Sequence, residues 1–230
     1  MRALYVPHFP LADQFEYSGE SCHHLIHVLR VQPGQSLKLI DGSGCYAMAK
    51  VIQVLRNSIL LQVADEKMKD LAPTNITLAV GLVKRPAQEE IIKKAVELGI
   101  RQLCFFQADF SNGQELKPQR IDSLIQSAME QSNHTHYLKV EYLSSLELLL
   151  RQVEGNLCYG SMKETSQLPK LAMQDQITLV VGPEGGLSMP EEQFLSKLGA
   201  HGIALKTPIL RAETAVVTLV GFFHGFCAIS

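Results

Sequence analysis

This chain is short of charge, has no surplus of basic residues and contains no closely spaced cysteine pair. Only 19% of its 230 residues are charged while 46% are apolar. That excludes an intrinsically disordered polymer and leaves enough apolar surface for a full core in one or two domains. The formal net charge of -2 gives no bulk attraction to nucleic acid, so any basic surface must be gathered on one face. The five cysteines (Cys22, Cys45, Cys104, Cys158, Cys227) are scattered and odd in number, which argues against a disulfide framework and for reduced thiols in a cytosolic core. The opening MRALYVPHFPLADQ has no apolar run long enough for a secretory signal. The one long charge-free stretch, 214–230, is short for a membrane span and holds His224 and two glycines, so it reads as a buried C-terminal helix. A cytoplasmic protein with no membrane partner is expected.

Residues 1–70 read as β-rich. SLKLI, AMAKVIQVL and SILLQVA are short apolar or alternating runs separated by the turn compositions PGQ, DGSG and RNS. ESCHHLIHVLRV reads as a short amphipathic helix among them, and the close strand spacing predicts a small barrel or sheet. The charged stretch 65–75, DEKMKDLAPTN, reads as a linker. From residue 75 onward strands and helices alternate. NITLAVGL, RQLCFFQA, NLCYG, QITLVV and GIALK are expected strands. Helices are expected over AQEEIIKKAVELG (ended by Gly99), 117–131, 144–153, 190–198 and from Glu213 to the end. This alternation predicts an α/β domain over 75–230, with a mostly parallel sheet covered on both faces. Ligands of such sheets lie beyond the carboxyl ends of the strands, which selects the loops after Leu82, Gly160, Val181 and Lys206.

The first of two notable loops is Gly182-Pro183-Glu184-Gly185-Gly186. Its glycines permit positive φ and close backbone approach, and Pro183 fixes its own φ. Ser188 with Glu191 fits a capping box, and Pro190 fits the first turn of the following helix. The loop is either a well-capped turn or a place where a ligand meets the backbone. It matches neither the dinucleotide nor the P-loop fingerprint. The second loop, LKTPILRAETA from Leu205 to Ala215, places Arg211 and Glu213 at the mouth of an apolar helix. There the charges either pair with each other or in solvent, with Thr214 helping to cap the helix, or they serve a site.

GPEGG after a strand, followed by ILRAETA, resembles the bacterial small-subunit ribosomal RNA uridine-N3 methyltransferases, which belong to the SPOUT class. HHLIHVLRVQPGQSLKLIDGSG is similar to that family's PUA-like RNA-binding domain. KRPAQEEIIKKAVELGI and AMEQS are similar to segments of its catalytic domain. The resemblance covers essentially the whole chain. It implies a PUA-like β-barrel over 1–70 and, over 75–230, a trefoil-knotted SPOUT domain acting as a homodimer. It implies S-adenosyl-L-methionine as cofactor and 16S rRNA or the small ribosomal subunit as partner. Gly182, Pro183, Glu184, Gly185 and Gly186, with Leu205, Ile209 and Leu210, would then cradle the cofactor, and Ser161 and Met162 would form a third wall. The chain departs from the family pattern at Lys206 and Pro208, at His134 and His136 after EQS, and in ADFSNGQELKPQR, where the family is rich in serine and arginine.

Uridine N3 carries a weakly acidic proton, so its methylation needs a fixed cation beside the uracil carbonyls. Arg211 suits that role because its guanidinium stays charged and is planar, and Glu213 is expected to orient it. Glu184 faces the cofactor or braces its loop. Lys84 and Arg85 are candidates for phosphate contact, and His24 and Arg30 for an RNA-facing surface, against ordinary packing or solvation for each. His23 and His27 lie one helical turn apart but lack further ligands at suitable spacing, so no metal is expected. Two other functions compete: a non-catalytic RNA-binding or ribosome-assembly factor on the same fold, and an unrelated α/β enzyme using GPEGG as an anion site.

Overall fold

The computed structural model describes residues 2–11, 13–19, 21–64, 66–152, 155–161, 175–205 and 207–229. The chain divides into two compact units: Met1–Ala72 with Gln126–Tyr137, and Pro73–Ile125 with Leu138–Ser230.

The first unit is built on β1 (Arg2–Tyr5), β2 (Gln14–Tyr17), β3 (Ser36–Ile40), β4 (Cys45–Val54), β5 (Ile59–Val63) and β6 (Met68–Lys69). The sheet order is β1-β3-β4-β5-β2, with β6 on β4. β1 runs parallel to β3 and the other pairs are antiparallel. Alternation in ILLQV buries Ile59, Leu61 and Val63, as a half-buried strand requires. These residues meet Leu4, Leu37, Leu39 and Val51 in one core. A helical turn α1 (Ser21–His23) runs into a π-helical turn over His24–Val28 and adds Cys22 and Leu25 to that core. Three strands escape the sequence pattern, β1 among them. β2, QFEY, has no fully buried residue. β6 lies inside the charged stretch expected to be a linker, where Lys67 pairs with Asp41 at 2.6 Å and Asp70 N donates to Gly44 O at 2.8 Å. Residues 126–137 complete this unit: Glu130 Oε1 accepts from Tyr5 N at 3.0 Å and from Ser21 Oγ at 2.7 Å.

The second unit holds β7 (Ile76–Gly81), β8 (Gln102–Phe106), β9 (Lys139–Leu143), β10 (Asn156–Gly160), β11 (Ile177–Val181) and β12 (His201–Ile203). Its order is β12-β10-β11-β7-β8-β9, and every pair is parallel. The central β11 is buried at every position, which is why ITLVV reads as an unbroken apolar run. The helices are α2 (Arg85–Glu97), α3 (Pro118–Ser132, which from Gln126 onward belongs to the first unit), α4 (Leu146–Leu150), α5 (Met189–Lys197) and α6 (Ala212–Ile229). Leu146 and Leu149 of α4 and Leu195 of α5 pack with Ala79, Cys104, Phe106 and Val180 of the sheet, while α6 contacts β11 and α2. Gly99, at φ +65°, ends α2 as the αL cap residue. The edge strand β9, KVEYL, goes unseen in the sequence because charges interrupt it and none of its residues is fully buried. The last strand is HGI rather than GIALK. Among the described residues no helix is long and apolar enough to cross a membrane.

One buried amide organises the end of this unit that carries the loops. Gln88, in α2, is fully buried. Its Nε2 donates to Val83 O at 2.6 Å and to Gln114 O at 2.9 Å. Its Oε1 accepts from Tyr142 Oη at 2.8 Å, and that hydroxyl accepts from Leu116 N at 3.2 Å. Leucine at 88 would strand these partners, so Gln88→Leu is expected to lower stability by about 2–3 kcal/mol, read as a drop in the midpoint of denaturant unfolding. Next to it, Glu89 binds Arg120 at 2.6 Å and Arg85 at 3.0 Å. The Arg120 guanidinium, then that of Arg85, lowers the Glu89 carboxyl from 4.5 to about 2. A depressed folded-state value stabilises the fold above about pH 4.5 and is lost as pH falls toward about 2. Glu89→Gln is therefore expected to flatten the loss of stability across that window, measured by thermal unfolding against pH.

Candidate functional site

Parallel strands bring their carboxyl ends to one edge of the sheet, and at the ends of β10, β11 and β12 lies a cavity of about 480 Å³. That is within the usual size of a small-molecule pocket. One wall is Gly182 through Leu187, a second is Ile203 to Leu205 with Thr207 to Leu210, and a third is Gly160 and Ser161. Ala212, Ala215 and Leu219 of α6 form the floor. Glu184 and Glu192 are the only ionisable side chains among the described lining residues. These two carboxylates favour a ligand with positive charge.

The glycine loop is held from several directions. Gly186 N donates to Pro183 O at 2.8 Å, closing a turn. Ser188 caps α5 in a complete capping box with Glu191. Glu191 Oε2 accepts from Ser188 N at 2.7 Å, while Oε1 accepts from Asp109 N, in the loop after β8, at 3.1 Å. Ser188 Oγ donates to Asp109 Oδ2. Glu184 Oε1 accepts from Lys84 N at 3.1 Å, so this carboxylate braces the start of α2. The glycines differ in purpose from the sequence reading. Gly186 is the only one of the three at positive φ, +77°, and a Cβ there would meet open space. A Cβ on Gly182 would lie 2.6 Å from the backbone of Gly186, and one on Gly185 would lie 2.9 Å from Phe110 Cβ. Two of the three glycines therefore serve close packing within the protein. Asp109 and Phe110 had no motif to mark them, since their partners are distant in sequence.

Of the expected cofactor residues, Ser161, Gly182 to Gly186, Leu205, Ile209 and Leu210 line this one cavity. Met162 lies outside the described residues, as does Lys206. Arg211 and Glu213 are not lining residues: Arg211 is exposed between Leu210 and Ala212, which are, and Glu213 is half-buried in the first turn of α6. Among the described residues no ion pair joins Arg211 to Glu213, contrary to the expectation that one orients the other. Arg211 O accepts from Ala215 N at 2.8 Å, so Arg211 stands at the N-terminal boundary of α6. Thr214 lies inside the helix and does not cap it.

His24 and Arg30 belong to the first unit and both are exposed. Arg30 adopts a φ of +49°, uncommon for a residue with a side chain. Lys84 and Arg85 belong to the second, where Lys84 is exposed and Arg85 is engaged with Glu89. The rings of His23 and His27 are 4.5 Å apart; among the described residues no group of three ligating side chains is assembled for a metal.

Residues 70–224 match the RNA methyltransferase domain family, and residues 17–64 match the RNA methyltransferase PUA domain. The ribosomal RNA small subunit methyltransferase E of Rickettsia conorii is 25% identical over 219 residues, covering 91% of this chain and 90% of its own. The protein of the same name from Bacillus subtilis is 27% identical over 223 residues, covering 89% and 87%. The fold is shared with a ribosomal RNA small subunit methyltransferase E from Neisseria gonorrhoeae, solved bound to S-adenosyl methionine. That protein superposes with a TM-score of 0.83 at 22% identity, covering 98% of this chain and 97% of its own. With the catalytic-domain match spanning most of its length and a PUA match preceding it, this chain belongs to the RNA methyltransferase family.

Proposed function

We propose that this protein uses S-adenosyl-L-methionine to methylate N3 of a uridine in 16S ribosomal RNA. The observation that carries the reading is the 480 Å³ cavity at the strand ends, lined by both motif loops and by no cation among its described residues. The cofactor is a net cation with an apolar base, and the lining supplies carboxylates, glycine backbone and apolar side chains to match. Gly186 leaves open space where a side chain would stand, and Leu205, Ile209 and Leu210 offer the apolar wall. The same lining weighs against an anion-site enzyme.

When bound, S-adenosylmethionine supplies an electrophilic methyl group. The N3–methyl bond would form as the sulfur–methyl bond breaks, with S-adenosylhomocysteine leaving and the N3 proton passing to water. Arg211 would hold the negative charge that develops on the uracil; each unit by which it lowers that pKa contributes about 1.4 kcal/mol. Its position supports this role. A cation at a helix N-terminus opposes the macrodipole and forfeits roughly 0.3–1 kcal/mol of stability, so Arg211 is placed there at the expense of the fold. Glu213, in the first turn, complements the dipole instead. Glu184 positions the glycine loop through Lys84 N.

In this proposal residues 1–70 are a PUA-like RNA-binding domain, with His24 and Arg30 facing RNA, and residues 75–230 are the SPOUT domain, whose chain is threaded as a trefoil knot. Lys84 and Arg85 contact phosphates. The protein works in the cytoplasm as a homodimer. Arg211→Ala is expected to reduce turnover about 10²–10³-fold with cofactor affinity unchanged by calorimetry; normal turnover would remove Arg211 from the mechanism. Nucleoside mass spectrometry of 16S rRNA from a deletion strain should show loss of N3-methyluridine. An unchanged level would overturn the reading and leave a non-catalytic RNA-binding or assembly factor in its place.

A further inference from the structure

We infer that Phe110 is the stacking platform for the acceptor base, a positioning residue for the methyl-accepting nucleotide. The inference rests on the reading of this protein as an RNA methyltransferase. Phe110 is an aromatic side chain left 52% exposed, and its Cβ lies 2.9 Å from the place a side chain on Gly185 would occupy. Gly185 itself lines the cavity. The absence of a side chain at 185 is thus what seats the Phe110 side chain beside the site.

The segment that carries Phe110 is fixed at both ends. Asp109 is tied to Glu191 and Ser188. Ser111 N donates to Ala108 O at 3.0 Å and Ser111 Oγ accepts from Ala108 N at 3.0 Å, making a tight turn with Phe110 inside it. Further on, a Cβ at Gly113 would lie 1.9 Å from Val83 O, and Gln88 holds Gln114 O. The exposed half of the Phe110 side chain, held on a rigid turn, gains nothing for the fold. It is pre-organised for a flat apolar partner.

Charge narrows that partner. Between Gln107 and Leu116 the segment contains Asp109 and Glu115 and no lysine or arginine. It has nothing to attract a phosphate, but the face of a nucleobase needs only a π surface. Stacking on aromatic side chains is the common way unpaired bases are held. Basic side chains elsewhere would carry the backbone, and Phe110 would hold the base at the mouth of the site.

The protein contains no tryptophan, so Phe110→Trp introduces a single fluorescent reporter. The experiment uses the full-length protein, a 16S rRNA fragment assayed for methylation by the wild type, and calorimetry for S-adenosylmethionine. Phe110→Ala and Phe110→Leu are expected to raise KM for RNA about tenfold to hundredfold with cofactor affinity unaltered. Phe110→Trp should keep a near-normal KM, and RNA should quench its fluorescence while polyphosphate, which has charge and no base, should not. Wild-type behaviour in Phe110→Leu would mean that packing alone matters and would overturn the inference. So would a fall in cofactor affinity that parallels the rise in KM, or equal quenching by polyphosphate. A quenched Phe110→Trp together with an inactive wild type would leave base stacking standing and count against the methyltransferase reading instead.

Discussion

A single carboxylate, Glu191, holds together the parts of the second unit that define its site. One oxygen closes the cap of α5 by accepting from Ser188 N, and the other accepts from Asp109 N in the loop after β8. The glycine loop runs directly into that cap, so its position is inherited from the helix start. The loop after β8 is in turn registered against it, and Gln88 registers the far end of that same loop against α2. Hydrogen bonds to a charged group are stronger than neutral ones, and the one from Ser188 N is partly buried. The cavity wall is therefore set by a few directional contacts anchored in rigid elements, the arrangement a precise site requires.

Much of this organisation was legible in the sequence where burial leaves a strong pattern. The central strands β7, β8 and β11 are almost wholly buried, and such strands appear as bounded apolar runs. The capping box over Ser188 and Glu191 is a local device, so spacing alone reveals it. What stayed hidden was either weakly buried or held by distant partners. β2 and β9 are partly exposed, and β6 sits among charges that pair with the neighbouring strands. Asp109 meets Glu191 across 82 positions, and no local pattern could join them. The glycines of GPEGG show a subtler limit. Composition tells that small residues are needed, but not whether ligand or protein comes close, and at 182 and 185 it is protein.

Charge is distributed in a way that the near-neutral total conceals. The cavity lining is acidic among the described residues, and Arg211 stands just outside it at a helix N-terminus. In the proposed reaction the two requirements fall to different segments: Glu184 and Glu192 would accommodate a cationic cofactor, and Arg211, in the loop before α6, would stabilise an anionic acceptor. A uniformly basic cavity would serve the second and repel the first.

The division of the chain into units carries a consequence for its synthesis. The first unit takes in residues 126–137, and Glu130 from that segment is the acceptor for the Tyr5 amide and the Ser21 hydroxyl. On the ribosome the N-terminal sheet emerges early, yet its last piece follows only after β7, α2 and β8 have been made. The first unit therefore waits for its 126–137 segment until that stretch has been synthesised, a departure from strict domain-by-domain completion in order of synthesis.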